Sequence, residues 1–235
     1  MKALRSLWLW TVGGAYIATV FSLVLLLSFI LPIEKIDPWL KAAMRGLFRL
    51  LRVPVRVKGV EHIAPTRPYL YMANHVSIFD IPLLQGFVPQ FVRGVEAAEQ
   101  FRWPLFGPVI RRMGNIPIER ENVHASIRSM RRALDYLRSG RSLIVLPEGH
   151  RTLDGRLRPF KKLPFHLAKQ ADVDIIPVGL SGLYTLKRKG HWHIQPHPLA
   201  IRFGKPIPAE TIRSLSVEAL RDRVRQEIER LVEFP

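Results

Sequence analysis

The longest feature of the hydrophobic pattern is an uncharged run from Ser6 to Ile33, which is 28 positions. A helix needs about 20 apolar residues to cross a bilayer. A secretory signal peptide has a shorter apolar core and ends in a cleavage site of small residues, whereas this run ends in Leu31-Pro32-Ile33. We therefore expect a membrane-embedded helical segment over residues 1–36. Because Gly13-Gly14 and Pro32 can interrupt a helix, the segment either crosses the bilayer or forms two half-helices within one leaflet.

A basic amphipathic stretch follows, over residues 37–53. Its apolar positions fall on one helical face, and these are Leu40, Met44, Leu47, Phe48 and Leu51. Such a helix either lies on an anionic membrane surface or packs on the domain that follows. More basic residues follow the apolar run than precede it, which predicts that the rest of the protein lies on the cytoplasmic side.

Residues 54–235 alternate short apolar runs with helical patterns. The predicted strands are Val55–Val60, Tyr69–Ala73, Gln90–Arg93, Asn115–Ile118, Ser142–Leu146, Asp174–Val178 and Leu199–Phe203. The predicted helices are Val123–Arg138, Phe160–Gln170 and one that starts near Ser216. Strands interleaved with helices predict an α/β domain with a mixed, mostly parallel sheet flanked by helices. Ligands of such sheets bind beyond the carboxyl ends of the strands.

The composition narrows the class of protein. Thirty-six basic and nineteen acidic residues give a formal net charge of +17, which attracts polyanions such as nucleic acid, anionic lipid or phosphorylated small molecules. The chain has no cysteine, which excludes disulfides, thiolate metal sites and cysteine nucleophiles. Basic residues are spread along the chain and no nucleic-acid-binding motif is visible, so we expect no nucleic-acid partner.

The stretch NHVSIFD (74–80) directly follows a predicted strand and contains a histidine and an aspartate five positions apart. On a continuous helix these two side chains would lie about 140° apart and would not meet. We expect the next helix to begin near Ser77, with His75 in the turn before it and Asp80 in its first turn, so that the chain can fold one side chain back to the other. A carboxylate that holds Nδ1–H leaves Nε2 free as a general base. Taken alone, the pair is more typical of a histidine held in a local turn and an aspartate that caps a helix than of a catalytic pair.

Other charged residues follow later predicted strands, in GNIPIER (114–120) and LPEGHR (146–151). Arg120 and Arg151 suit the capture of a phosphate, and Lys161 and Lys162 are further phosphate candidates, although each is also typical of a surface charge. Glu148 would repel a phosphate, so we expect it to orient an arginine or a substrate hydroxyl. Backbone N–H groups around Gly114 are candidates for stabilising an oxyanion.

With IIPVG (175–179) these stretches form four blocks, which in this order resemble the four blocks of the glycerolipid acyltransferase family, in particular the bacterial 1-acyl-glycerol-3-phosphate (lysophosphatidate) acyltransferases. The resemblance runs from about Val53 to Gly204. The N-terminal segment is similar to the two-helix membrane element of these enzymes. The resemblance implies a catalytic dyad of His75 and Asp80. The candidate substrate-binding residues are then Asn74, Gly114, Arg120, Glu148, Gly149, Arg151, Lys161 and Lys162.

The resemblance also implies the reaction. A fatty acyl group would pass from an acyl-CoA or acyl-carrier-protein thioester, as co-substrate and without a cofactor, to the sn-2 hydroxyl of lysophosphatidate, giving phosphatidate for phospholipid synthesis. The implied location is the bacterial inner (cytoplasmic) membrane, with an anionic membrane surface as partner. Two departures leave the acceptor open: His150 replaces the usual threonine, and Leu163-Pro164 replaces the usual Gly-Ala.

Other functions remain open. Alternative acceptors are another lysolipid, such as lyso-ornithine lipid, and glycerol phosphate itself. A membrane-anchored basic module that binds nucleic acid or anionic lipid without catalysis is an alternative class. Ser77 lacks the Gly-x-Ser-x-Gly elbow of a serine hydrolase, so we interpret it as the cap of the next helix. The stretch HWHIQPH (191–197) lacks the spacing of a known zinc site, so we expect no metal and interpret it as an exposed loop.

Overall fold

The computed structural model describes residues 1–119 and 122–234, and within them the chain forms seven β-strands and nine α-helices. The strands are β1 (Val55–Lys58), β2 (Tyr69–Ala73), β3 (Val92–Ala97), β4 (Ile116–Ile118), β5 (Ser142–Val145), β6 (Asp174–Ser181) and β7 (Leu199–Phe203). The helices are α1 (Lys2–Leu27), α2 (Ile33–Leu50), α3 (Asp80–Phe87), α4 (Phe106–Arg112), α5 (Val123–Arg138), α6 (Leu163–Ala171), α7 (Leu183–Leu186), α8 (Ala209–Ser214) and α9 (Val217–Leu231).

The strands form one sheet in the order β1-β7-β6-β2-β5-β3-β4. Neighbouring strands are parallel except for β6 and β7, which are antiparallel, and this confirms the mixed, mostly parallel sheet. Every residue of β2, β5 and β6 is buried, as expected for strands covered on both faces. Because β2 is parallel to both β5 and β6, the carboxyl ends of these three strands meet at one edge of the sheet.

Each face of the sheet carries its own layer of helices. Tyr71 and Ala73 of β2 face a core shared with α2 and α3, while Leu70 and Met72 face the opposite core with α5, α6 and α9. This alternation follows from the two-residue period of a strand. Gly179 in β6 allows α9 to approach closely, because a Cβ there would lie 2.5 Å from the Leu231 side chain.

Helix α1 is continuous through Gly13-Gly14, so the apolar segment is not broken at these glycines. The break falls between Leu27 and Ile33, where Pro32 caps the start of α2. With 26 residues α1 is about 39 Å long, and it is the one described helix whose length and composition allow it to cross a membrane. Most of its side chains point away from the protein.

The apolar stripe of α2 packs inside the protein. Its residues Leu40, Met44, Leu47 and Phe48 are at most 3% exposed and contact the cores shared with α1, α3 and α4. Of the two interpretations of this helix, packing on the domain is therefore the one that the structure supports. The helix also begins at Ile33, four residues earlier than the amphipathic pattern predicted.

Strand β3 starts two residues later than predicted because Gln90 binds loops instead of a neighbouring strand. Its side-chain oxygen accepts hydrogen bonds from the Tyr71 and Ser142 hydroxyls, and its amide donates to the backbone carbonyls of Ala64 and Arg67. These contacts hold the turn before β2 against the turn before β3.

Candidate active site

His75 and Asp80 meet at the carboxyl edge of the sheet. His75 Nδ1 lies 2.6 Å from Asp80 Oδ2, and the aspartate side chain is fully buried. An ionised carboxylate only accepts hydrogen bonds, so the contact assigns the imidazole proton to Nδ1 and leaves Nε2 as the free acceptor. The arrangement has the geometry of a histidine that can remove a proton from a hydroxyl group.

His75 and Asp80, five positions apart, are brought together by a turn that wraps around the aspartate carboxylate. Asp80 is the first residue of α3, and its Oδ2 also accepts the Val76 N–H at 2.7 Å, while its Oδ1 accepts the Ser77 N–H at 3.0 Å. Helix α3 therefore starts three residues later than expected. Ser77 is not its cap, since the Ser77 hydroxyl donates to the Lys187 carbonyl at 2.7 Å.

The backbone of His75 is held from both sides by the loop after β5. Its N–H donates to Glu148 Oε1 at 2.7 Å, and its carbonyl accepts the Thr152 N–H at 2.9 Å. The second Glu148 oxygen accepts the Arg158 N–H at 2.8 Å. Burial raises the pKa of the Glu148 carboxyl to about 7, against the opposing effect of these two backbone hydrogen bonds.

Asn74, the residue before the histidine, joins two strand ends. Its side-chain amide donates to the Leu180 carbonyl at 3.0 Å, and its side-chain oxygen accepts the Leu180 N–H at 2.7 Å. The residue is 2% exposed. These bonds tie the end of β2 to the end of β6, so Asn74 lies beside the dyad as a buried clamp that holds the turn in position.

The predicted cations divide into two groups. The Lys161 stem lies against Gly149, where a Cβ would approach its Cε to 2.9 Å. Burial, and after it the charge of Arg151, lowers the pKa of Lys187. Because the Lys187 carbonyl accepts from Ser77, both residues lie beside the dyad turn. Lys162 instead pairs at the surface with Glu218, at 2.7 Å. Arg120 lies outside the described residues.

The glycines named from the sequence shape turns. Gly149 has φ +72° and closes the turn after β5 by donating its N–H to the Leu146 carbonyl at 3.0 Å. Gly114 has φ +74°, and its N–H donates to the Arg111 carbonyl at 2.9 Å. The Asn115 N–H donates to the Ile110 carbonyl, also at 2.9 Å. Both N–H groups therefore bond to the end of α4, and stabilisation of an oxyanion by the turn of residues 114–116 stays a prediction.

The two departures from the family pattern lie in different surroundings. Leu163 and Pro164 form the first turn of α6, where proline is well tolerated because its missing N–H has no helical partner. Pro164 is buried, and Leu163 packs against the core shared with α5 and α9. His150 is half-buried in the turn that contains Glu148 and Gly149.

Two cavities flank the dyad turn. An apolar cavity of about 310 Å³ lies between α1, α2 and α3, and its wall includes Gly14, Ile17, Ile78 and Phe79. The second cavity, of about 370 Å³, has Asn74 and Val76 in its wall. Both volumes fall in the range of ligand cavities, about 300–1,000 Å³. Residues of the dyad turn therefore contribute to the walls of both an apolar cavity and a mixed one.

The histidines of 191–197 lie on the loop between α7 and β7, as expected. His191 and His193 are exposed. His197 is half-buried and lines the same cavity as Asn74. Over residues 1–119 and 122–234, no group of three or more His, Cys, Asp or Glu side chains is arranged to hold a metal ion.

Three contacts of the site escaped sequence reasoning. Thr152 and Lys187 bond to the dyad turn, and Arg158 bonds to Glu148, through tertiary contacts that no local spacing signals. Arg158 lies ten residues after Glu148, in a segment without regular secondary structure, and Lys187 ends α7. The basic character of the stretch from Lys187 to Lys189 was a signal that the sequence offered.

A buried histidine–aspartate pair at the carboxyl edge of a mixed sheet, beside an apolar cavity and several cations, defines an α/β protein suited to chemistry on a hydroxyl group next to an apolar chain. The Acyltransferase family model matches residues 54–181, which is more than half of the chain. The chain belongs to this family.

Similar proteins extend the comparison. A 1-acyl-sn-glycerol-3-phosphate acyltransferase of Limnanthes douglasii is 35% identical over 156 residues, covering 66% of this chain and 55% of that protein. The human 1-acyl-sn-glycerol-3-phosphate acyltransferase alpha is 30% identical over 177 residues, covering 75% and 62%. The chain thus spans less than two thirds of the length of these relatives.

The fold has a solved counterpart. The crystal structure of the 1-acyl-sn-glycerophosphate (LPA) acyltransferase PlsC from Thermotoga maritima superposes with a TM-score of 0.85 at 28% sequence identity. The match covers 97% of this chain and 93% of that one, so it includes the N-terminal helices as well as the sheet.

Proposed function

We propose that the protein transfers a fatty acyl group from an acyl-CoA or acyl-carrier-protein thioester to the sn-2 hydroxyl of lysophosphatidate, giving phosphatidate. The observation that carries the proposal is the 2.6 Å contact between His75 and buried Asp80, next to an apolar cavity. The names of the similar proteins from Limnanthes douglasii and human support this acceptor.

The reaction follows from the free Nε2 of His75. It takes the proton of the acceptor hydroxyl as the hydroxyl oxygen attacks the thioester carbonyl. Asp80 stabilises the imidazolium that forms. The tetrahedral intermediate collapses by breaking the carbon–sulfur bond, the thiolate leaves, and the proton on Nε2 passes to it. The new ester and the free thiol are the products, and no covalent enzyme intermediate is required.

The acceptor phosphate is assigned to the cations beside the dyad. Arg151 presents a planar guanidinium that can bind two phosphate oxygens, and Lys161 and Lys187 add ammonium groups. The pKa of Lys187 is lowered by burial and by Arg151. An arriving phosphate dianion reverses the second effect, because it neutralises the repulsion between the two cations. Arg120 remains a further phosphate candidate from the sequence.

The acyl chain is assigned to the apolar cavity between α1, α2 and α3. Its wall is almost entirely hydrocarbon, and Ile78 and Phe79 connect it to the dyad turn. A chain of methylene groups gains roughly 0.8 kcal/mol for each group transferred from water to such a site. The cavity wall is shared with α1, which fits a chain that is delivered and released near a membrane.

Membrane placement completes the proposal. Helix α1 exposes Leu7, Trp8, Leu23 and Leu26 by more than half of their surface, and these side chains suit lipid contact. The basic residues after α1 favour a cytoplasmic position for the sheet domain at the bacterial inner membrane. The net charge of +17 attracts anionic headgroups and phosphorylated donors.

The test is thiol release from palmitoyl-CoA by the full-length protein in detergent, with and without lysophosphatidate, beside His75→Ala. We expect release that requires the acceptor and that falls on the order of a hundredfold or more in the variant. A panel with lyso-ornithine lipid, and an acyl-carrier-protein donor, identifies the substrates. Equal release by wild type and His75→Ala would exclude the general-base mechanism.

A further inference from the structure

A third cavity, of about 540 Å³, lies between the first two turns of α1, helix α7 and the segment that follows α7. It shares Tyr184 and Thr185 with the cavity that Asn74 lines, but neither His75 nor Asp80 lines it. We call it the cationic cavity and define it by Lys2, Arg5, Arg188, His191 and His193, which line it. None of these residues belongs to the cations that flank the dyad.

The charges around this cavity are of one sign. Lys2, Arg5 and Arg188 contribute three permanent cations, His191 and His193 contribute imidazole rings, and no carboxylate lines the cavity. In the part of the chain that the structure describes, none of the three cations forms an ion pair. Their mutual repulsion is relieved when an anion enters between them.

The walls of the cationic cavity are fastened to each other. The Ile194 N–H donates to the Ser6 hydroxyl at 3.2 Å, and the Trp10 indole N–H donates to the Trp192 carbonyl at 2.5 Å. The Gln195 N–H donates to the Leu186 carbonyl at 2.9 Å. The loop therefore rests on α1 in a defined position, so the cations converge before any ligand arrives.

The surroundings indicate what kind of anion would enter. Leu4, Leu7 and Trp8 of α1 and Trp192 of the loop expose between 49% and 74% of their surface close to the cavity residues in the sequence. Tryptophan beside basic residues at the end of an apolar helix is typical of the membrane interface, where phosphate headgroups lie. A phosphate that reaches this cavity would therefore belong to a lipid.

We infer that the cationic cavity binds the phosphate of an anionic membrane phospholipid that is not the substrate. The inference rests on the membrane placement of α1 in the proposed function, but not on the reaction. A bound headgroup would join α1 to the loop that begins at Lys187, whose carbonyl holds Ser77 of the dyad turn. The lipid would thus support the active site from outside it.

The experiment uses the full-length protein in neutral detergent micelles, titrated with phosphatidylglycerol while its Tm is recorded. The variant is Arg5→Gln/Arg188→Gln. The matched control is Arg128→Gln/Arg131→Gln, which removes two exposed arginines from α5. Phosphatidylcholine and free coenzyme A are titrated in parallel, the first as a zwitterionic lipid and the second as a soluble phosphate.

We expect phosphatidylglycerol, but not phosphatidylcholine, to raise the Tm of wild type and control. In the cavity variant the concentration for half of that rise increases about 25-fold, since each cation near a membrane surface contributes a factor of about five. The lipid-free Tm of the variant stays level or rises, because repulsion is removed. An unchanged midpoint in the variant, or equal effects of the two lipids, would overturn the inference. A shift with coenzyme A that only the cavity variant loses would assign the cavity to the donor instead.

Discussion

The Glu148 carboxylate accepts the backbone N–H of His75 at 2.7 Å, and so joins the end of β5 to the turn that carries the dyad. The Thr152 N–H bonds the carbonyl of the same histidine at 2.9 Å. The main chain of His75 is therefore fixed on both sides by one loop. Its imidazole has little freedom left, because Asp80 holds Nδ1. In the proposed reaction, a histidine held in this way would need no rearrangement when an acceptor hydroxyl arrives.

Asp80→Asn tests the dyad more finely than removal of the histidine. The asparagine keeps the shape, but its amide group presents donors to Val76, Ser77 or His75, all of which donate to the carboxylate in the wild type. We expect a fall of about 10²- to 10⁴-fold in kcat/KM for acyl transfer. A loss of about 1–3 kcal/mol in the free energy of unfolding should accompany it, from buried donors left unpaired.

Chemical denaturation separates the two effects of this substitution. Asp135→Asn, on the exposed face of α5, is the matched control and should change neither quantity. If Asp80→Asn lowers stability while kcat/KM stays within a factor of two of wild type, the aspartate is a structural cap and His75 works without it.

Gly14→Leu tests whether the apolar cavity receives the acyl chain. Gly14 lines the cavity, and a Cβ added there meets no atom within 4 Å, so a leucine side chain can extend into the empty space. We expect kcat/KM for palmitoyl-CoA to fall about tenfold or more, while decanoyl-CoA, whose chain is shorter, is used nearly as well as before. Helix α1 should tolerate the change because leucine favours a helix over glycine by nearly 1 kcal/mol.

The matched control for this prediction is Ala15→Leu, at the next position of α1. Ala15 is exposed and does not line the cavity, so the added side chain points outward and the order of donor preference should not change. If Gly14→Leu lowered kcat/KM equally for all acyl donors, the substitution would have displaced α1 instead of shortening the cavity.

Sequence reasoning succeeded where a local pattern is sufficient. Strands β2 and β7 have the predicted bounds because each is an apolar run that ends in turn residues. Helix α5 also has its predicted bounds, since the Asn122 side chain accepts the Ala125 N–H at its start, as a cap should. Parallel pairing of β2 with β5 then brings His75 and Glu148 to one edge of the sheet.

The features of the fold and of the site that the sequence did not predict depend on tertiary contacts. The stripe of α2 is equally consistent with a membrane surface and a protein core, because both accept an apolar face. The start of α3 was misplaced because the Asp80 carboxylate competes for the N–H groups of Val76 and Ser77 and holds them in a turn. The bond from the Gly114 N–H to the end of α4 is likewise a contact that only the folded chain shows.

A buried ion pair within α2 is bonded to α3 through Gln85. Lys41 Nζ lies 2.8 Å from Asp37 Oδ2, both side chains are at most 8% exposed, and the Gln85 amide donates to the other aspartate oxygen at 2.8 Å. Burial lowers the pKa of Lys41, against the attraction of Asp37. We expect Lys41→Met to cost about 3–5 kcal/mol in the free energy of unfolding, because Asp37 is left as an uncompensated buried charge.

Denaturant titration of three variants checks this expectation. Asp37→Asn/Lys41→Met keeps an acceptor for Gln85 and removes both charges, so it should recover most of the loss seen with Lys41→Met alone. Lys35→Met, at an exposed position of the same helix, is the control for the lost charge. Equal losses in the single and double variants would mean that the lysine stem, and not the ion pair, provides the stability.

Glu148 should make the stability of the fold depend on pH. Burial raises the pKa of its carboxyl to about 7, from an ordinary value of 4.5. Between these two values the folded chain holds a proton that the unfolded chain has lost, so the free energy of unfolding falls as pH rises through this window. The full shift corresponds to about 3 kcal/mol, lost by the time the pH exceeds 7.

Glu148→Gln removes the titration, so we expect the Tm of wild type, relative to that of the variant, to fall between pH 5 and pH 8. Glu229→Gln, at an exposed position of α9, controls for the loss of a carboxylate and should follow wild type at every pH. A constant Tm difference would mean that the N–H groups of His75 and Arg158 keep Glu148 ionised throughout this range. In that case these two hydrogen bonds outweigh the desolvation of the carboxylate, and the dyad turn rests on a permanent negative charge.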